Sequence, residues 1–169
     1  MARLIRSRDG DHVGELLRDL ARDGYAVLRH VGTRDGAGPI DAVVVGPSGV
    51  YVIETRDWRG NIHQATKGRL MCNGQDRSST IDEAIAEAGE IRRLVEPLGI
   101  RSVDAIVALA DARVRHPMTF RRVRVTSARD AVALIRSAPT RLTREQVARV
   151  SSALLRPMSR PLTRPTPVS

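Results

Sequence analysis

The stretch Ile40-Asp41-Ala42-Val43-Val44-Val45-Gly46-Pro47-Ser48-Gly49-Val50-Tyr51-Val52-Ile53-Glu54-Thr55-Arg56 decides how the rest of the chain is read. Two apolar runs rich in β-branched residues flank Gly-Pro-Ser-Gly, the composition of two buried strands joined by a tight turn. If Gly46–Gly49 is a four-residue loop built on a type I turn, Pro47 takes the second position, where its fixed φ is at home. Val45 then pairs with Val50, and Asp41 falls directly across from Glu54. Strand alternation puts Arg56 on the same face as Glu54, one step along. A three-residue loop with a bulge at Gly49 would instead pair Val50 with Gly46 and place Asp41 and Glu54 on opposite faces.

In the first register two carboxylates and a cation stand side by side at the end of an apolar hairpin. Like charges directly opposite each other are destabilising unless something compensates them. A divalent cation does so, and Mg²⁺ or Mn²⁺ takes carboxylates together with waters and phosphate oxygens. Asp41 and Glu54 are the candidate ligands, with the backbone carbonyl near Thr55 as a further oxygen. A metal held there would serve phosphodiester hydrolysis, with Arg56 beside the scissile phosphate to stabilise developing charge.

Around the hairpin the chain alternates helices and strands. Val13, Leu16, Leu17, Leu20 and Ala21 recur at helical spacing, with Asp9 or Asp11 as N-cap and Gly24 as the stop. Tyr25–Val31 reads as a strand, Thr33–Gly38 as a loop and Trp58–Gly74 as a hairpin or meander. Ser79–Pro97 is a helix whose Thr80 and Glu83 match a capping box. Val103–Ala110 suits a buried strand, parallel to a neighbour, and Arg122–Thr126 a strand with one wet face. Helices follow at Ala128–Arg136 and at Arg144–Leu155, the latter capped by Thr143. The expected fold is a mixed α/β sheet flanked by helices, in the order αβββαβ with extra C-terminal helices. Residues 1–10 read as an N-terminal arm, 11–155 as one domain and 156–169 as a disordered Pro/Arg-rich tail.

At 169 residues the chain has room for one domain with a real core. No apolar run approaches the ~20 residues needed to span a bilayer. The N-terminus carries charge without an apolar segment, which argues against a secretory signal. One cysteine, Cys72, suits a reducing cytoplasm. The net charge of +9 is unevenly placed: residues 112–169 hold 13 arginines against Asp130 and Glu145 only. Such a field attracts polyanions, nucleic acid first among them. Arg122 and Arg124, alternating with valines, are candidates to contact phosphates. Aromatic residues make up only 2%, too few for a base-stacking platform. His12, His30, His63 and His116 are scattered without metal-ligand spacing, and no phosphate-cradling Gly-Lys-Ser/Thr loop is present. No segment specifies an oligomeric state, and a homo-oligomer stays open.

The stretch Pro39–Gly60, with Asp41, Glu54-Thr55-Arg56 and Trp58-Arg59-Gly60, resembles the signature of the NERD (nuclease-related) domain family. Gly14-Glu15 resembles that family's upstream Gly-Glu. The resemblance implies a restriction-endonuclease-like core of the PD-(D/E)XK superfamily and a metal-dependent nuclease acting on nucleic acid, DNA being expected before RNA although the sequence does not specify which. It places Asp41 at the first acidic position, Glu54 and Arg56 at the ends of the E-x-K element, and Glu15 as an upstream acid of the site. Helical geometry places Glu15 about 150° from the apolar stripe, as a solvated residue would also be. The family usually has Lys where this chain has Arg56. Arginine orients and stabilises but cannot lose a proton to serve as a general base. The alternative is therefore a nucleic-acid-binding module of the same fold with weakened or absent catalysis.

Overall fold

The computed structural model describes residues 5–33 and 38–156. Its helices are α1 (Ile5–Arg22), α2 (Ser78–Val95), α3 (Ala128–Ser137) and α4 (Arg144–Leu155). Its strands are β1 (Ala26–Val31), β2 (Ile40–Gly46), β3 (Gly49–Arg56), β4 (Gly60–Gln64), β5 (Leu70–Cys72), β6 (Gln75–Asp76), β7 (Asp104–Leu109), β8 (Ala112–Arg113), β9 (Met118–Phe120) and β10 (Val123–Ser127). The main sheet runs β1-β2-β3-β7-β10-β9, and a smaller one runs β6-β5-β4-β8. β7 is parallel to both β3 and β10, while β1, β2 and β3 form an antiparallel meander. The architecture is thus a mixed α/β sheet with flanking helices, α3 and α4 being the C-terminal additions.

The hairpin adopts the first of the two registers. Val45 pairs with Val50, and the ladder reaches the turn as Gly46 opposite Gly49. Alternation along it sorts side chains into two layers. Ala42, Val44, Ile53 and Ile106 pack under α1 and α3, against Leu17, Leu20, Val132 and Ile135. Val43, Val45, Val50 and Val52 pack under α2 and α4, against Ile91, Val95, Val150 and Leu154. Because the central strands are buried on both faces, they read as near-continuous apolar runs.

A buried polar knot ties the turn to α3. Ser48, 1% exposed, donates to the Ile135 carbonyl at 2.8 Å, and the Tyr51 hydroxyl meets its Oγ at 2.8 Å. The Tyr25 hydroxyl is 3.0 Å from the same Oγ and donates to Ile135 O at 3.2 Å. Burial pushes the Tyr51 phenol up, so it stays a neutral donor.

Two helix starts differ from expectation. α1 begins at Ile5, so Asp9 and Asp11 lie within it rather than capping it. α2 has Arg77 at its N-cap without a side-chain cap, and Thr80 is buried in the first turn. Its start is held from the small sheet instead: Asp76 accepts from the Ser78 N–H at 2.9 Å, and Ser78 Oγ accepts from the Leu70 N–H at 3.1 Å. Glu83 is thereby left for another partner. The Thr143–Gln146 capping box of α4 forms as expected. The Pro/Arg-rich tail beyond Arg156 and most of the Thr33–Gly38 loop lie outside the described residues.

Candidate active site

Asp41 is the second residue of β2, and Glu54 and Arg56 stand at the end of β3. Extending the register one position beyond Ala42–Ile53 sets Asp41 beside Glu54. Asp41 Oδ2 accepts from the Thr55 backbone N–H and the Thr55 hydroxyl, both at 2.9 Å. Those two donors fix the carboxylate at the strand end. Glu54 is 4% exposed, an unusual place for a carboxylate unless it is paired.

Its partner is Arg56, whose Nη1 lies 2.6 Å from Glu54 Oε2. The same nitrogen donates to the Thr55 carbonyl at 3.0 Å and lies 3.9 Å from Asp41 Oδ2. Nη2 donates to Glu83 Oε2 of α2 at 2.8 Å. Three oxygens from β2 and β3 thus surround one positively charged nitrogen, and a fourth from α2 holds the other end of the guanidinium.

One helical turn beyond Glu83, Glu87 also faces the strand end. Its carboxyl is pushed up to about 9, first by burial, then by hydrogen bonding to Glu54 and by the charges of Glu54 and Asp41. Glu87 Oε2 is buried without a hydrogen-bond partner, and a neutral carboxyl costs less there than a charged one. An acid whose folded value is raised stabilises most below its unfolded value of 4.5, and that stability is lost as pH rises through about 9. In EDTA, Glu87→Gln is therefore expected to leave stability at pH 4 nearly unchanged. At pH 9 it should raise stability by about 1–2 kcal/mol, discounted for partial exposure. Urea melts at the two pH values check this; equal shifts at both would contradict it.

The family model for the nuclease-related domain (NERD) matches residues 8–110. The chain belongs to the nuclease-related domain family. No curated protein and no solved structure matches the chain significantly. The match takes in α1 through β7, the elements that carry Asp41, Glu54, Arg56, Glu83 and Glu87.

Whether this nuclease-related domain suits a divalent ion is a question about its donors. They are hard oxygens: two carboxylates and a backbone carbonyl around one cationic point, with the orphaned Glu87 Oε2 nearby. That chemistry fits Mg²⁺ or Mn²⁺ and not a soft-ligand metal. Among the described residues no three His, Cys, Asp or Glu side chains converge to hold an ion as they stand, and Arg56 Nη1 lies between Asp41 and Glu54.

The other expected residues lie elsewhere. Glu15 is exposed on α1, in a shallow depression with Leu16, Arg18, Asp19 and Arg22, and takes no part in the Arg56 cluster. The apolar side of its helix packs on the Ala42/Ile53 layer, the reverse of the layer under α2. Arg122 sits at φ 73° in the turn before β10, and Arg124 is inside the strand. Arg124 is level with Ile106, whose neighbours pack under α1 and α3, while Glu54 is level with Val107 of the α2 layer. Both arginines line a separate cavity of about 260 Å³ with Arg141, Asp104 and Tyr51. Glu83 and Glu87 were not expected at the site. The available signal was their spacing: two like charges at i, i+4 on one helix face repel unless a cation meets them.

Proposed function

We propose that the chain is a metal-dependent phosphodiesterase acting on nucleic acid, with DNA as the substrate to test before RNA. The observation that carries this reading is the convergence of Asp41 Oδ2, Glu54 Oε2 and the Thr55 carbonyl on a single cationic point. These oxygens would hold Mg²⁺ or Mn²⁺. When bound, such an ion polarises a phosphodiester and makes water more acidic. Thr55 keeps Asp41 aimed through two hydrogen bonds. Arg56, permanently charged, stabilises negative charge on the phosphate and accepts no proton. Glu15 is proposed as an auxiliary acid only on the family resemblance. The test is nicking and cutting of plasmid DNA with Mg²⁺ and with EDTA, and activity that persists in EDTA would contradict the reading.

A second reading, a binding module with weakened catalysis, is favoured by Arg56 standing where the family usually has Lys. Arg56→Lys separates the two. Increased cleavage supports a handicapped nuclease, whereas continued silence with tight, salt-sensitive DNA binding supports the module.

The arginine-lined cavity is assigned to affinity for the nucleic-acid backbone. Arg122→Ala with Arg124→Ala is expected to reduce the log–log salt slope of DNA binding by about two. The cleavage rate at saturating DNA should stay unchanged. Fluorescence anisotropy across a salt series and single-turnover cleavage measure the two parts. Cytoplasmic residence is proposed from the single cysteine, Cys72, which is free and buried. Among the described residues, no helix is long and apolar enough to cross a membrane.

A further inference from the structure

Arg56 Nη1 occupies the point on which the three proposed metal-holding oxygens converge, at 2.6 Å from Glu54, 3.0 Å from the Thr55 carbonyl and 3.9 Å from Asp41. A guanidinium nitrogen and a divalent cation exclude each other there, both by volume and by like charge. The side chain nevertheless has a second attachment. Nη2 is held at 2.8 Å by Glu83, a carboxylate with 55% of its side chain exposed, on a helix whose first turn is pinned to β5 and β6.

We propose that Glu83 is a positioning residue for this site, giving Arg56 a berth on α2 into which its guanidinium withdraws when a divalent cation takes the Asp41, Glu54 and Thr55 oxygens. The inference rests on the nuclease reading above. Arginine suits such a role because its planar fork presents two separate nitrogens, one to each carboxylate. A lysine, with one nitrogen, must choose between them. In the closed arrangement Arg56 neutralises the buried Glu54 and keeps the strand end stable without metal. In the open one it remains paired with Glu83, beside the position a phosphate would take. Metal binding then selects the open arrangement, and its apparent affinity is reduced by the fraction of molecules that are closed.

The experiment is Mn²⁺ binding to the full chain without nucleic acid, followed by the loss of the free Mn²⁺ EPR signal. It compares wild type, Glu83→Gln, Arg56→Gln and the double variant. Glu83→Gln is expected to weaken Mn²⁺ binding several-fold, because Arg56 loses its berth and stays on Glu54. Arg56→Gln should tighten binding by about tenfold, because the competitor is gone. In the Arg56→Gln background, Glu83→Gln should then change nothing. If Glu83→Gln weakens binding equally in both backgrounds, Glu83 acts as a nearby charge only; the berth is overturned and the metal site stands. If none of the four proteins binds Mn²⁺, both the berth and the metal-dependent reading fall. Should Arg56→Gln not fold, Arg56→Met, which also removes the competing cation, replaces it in the cycle, with the same expectation that Glu83→Gln loses its effect.

Discussion

Asp41→Asn is expected to reduce Mg²⁺-dependent cleavage of plasmid DNA by at least about a hundredfold while leaving the fold in place. The variant is chosen because it changes charge and little else. The amide oxygen of the substituted side chain would still accept from the Thr55 N–H and hydroxyl, the two bonds that aim the wild-type carboxylate. Removing the Asp41 charge relieves its repulsion with the facing Glu54 and gives up a 3.9 Å ion pair with Arg56, two effects of opposite sign. Stability should therefore shift by no more than about 1 kcal/mol, within the range of a conservative change at a half-exposed position. Cation binding, in contrast, needs the negative oxygen. Cleavage and melting curves on the same preparation separate the two effects. Full activity in Asp41→Asn would contradict the assignment, and loss of activity with loss of folding would show a structural residue instead.

Gly46→Ala carries the largest expected cost to stability. A Cβ at Gly46 would stand 2.0 Å from Cδ1, 2.4 Å from Cε1 and 2.6 Å from Cγ of the Tyr25 ring. The ring cannot simply swing away, because its hydroxyl is tied to Ser48 and to the Ile135 carbonyl and the residue is 8% exposed. Either the hairpin end moves or the polar knot breaks, leaving buried hydroxyls unsatisfied. Overpacking and loss of part of the knot together are expected to cost about 3–4 kcal/mol. For a chain of this size that lowers the melting temperature by roughly 10 °C. A thermal melt followed by circular dichroism measures it, and a melting temperature indistinguishable from wild type would show that the ring has room the structure does not give it.

The hairpin was legible, and its register narrowed to two, because Val45-Gly46-Pro47-Ser48-Gly49-Val50 permits few turn geometries and the strand residues Ala42–Val45 and Val50–Ile53 are all buried on one layer or the other; the structure decides for Val45 opposite Val50. Local chemistry was enough there. It was misleading at α2, where Thr80 and Glu83 have the spacing of a capping box but the helix is anchored by Asp76 and Ser78. The residue that seemed to finish a helix cap instead reaches a strand end 27 residues earlier and holds Arg56. No local pattern records that meeting. It depends on how α2 crosses the sheet between β3 and β7, which only the tertiary fold sets. The same holds for Glu87, which reads from sequence as one more polar residue on an amphipathic helix and becomes a raised acid when the fold buries it and sets Glu54 against it. Arg122 and Arg124 show the converse. Arg124 alternates with Val123 and Val125 as expected while Arg122 stands in the turn before them, yet alternation cannot say which layer the wet side joins, and both arginines line the cavity beside Tyr51 and Ile106, on the layer away from Glu54.

The β2 and β3 strand ends are proposed to form a seat for a divalent cation. Crystals grown with Mn²⁺ and measured at a wavelength where manganese scatters anomalously test it most directly. An anomalous peak is expected within coordinating distance of Asp41 and Glu54, with the Arg56 guanidinium turned toward Glu83. An empty map at those carboxylates, with Arg56 still bound to Glu54 at saturating Mn²⁺, would contradict it.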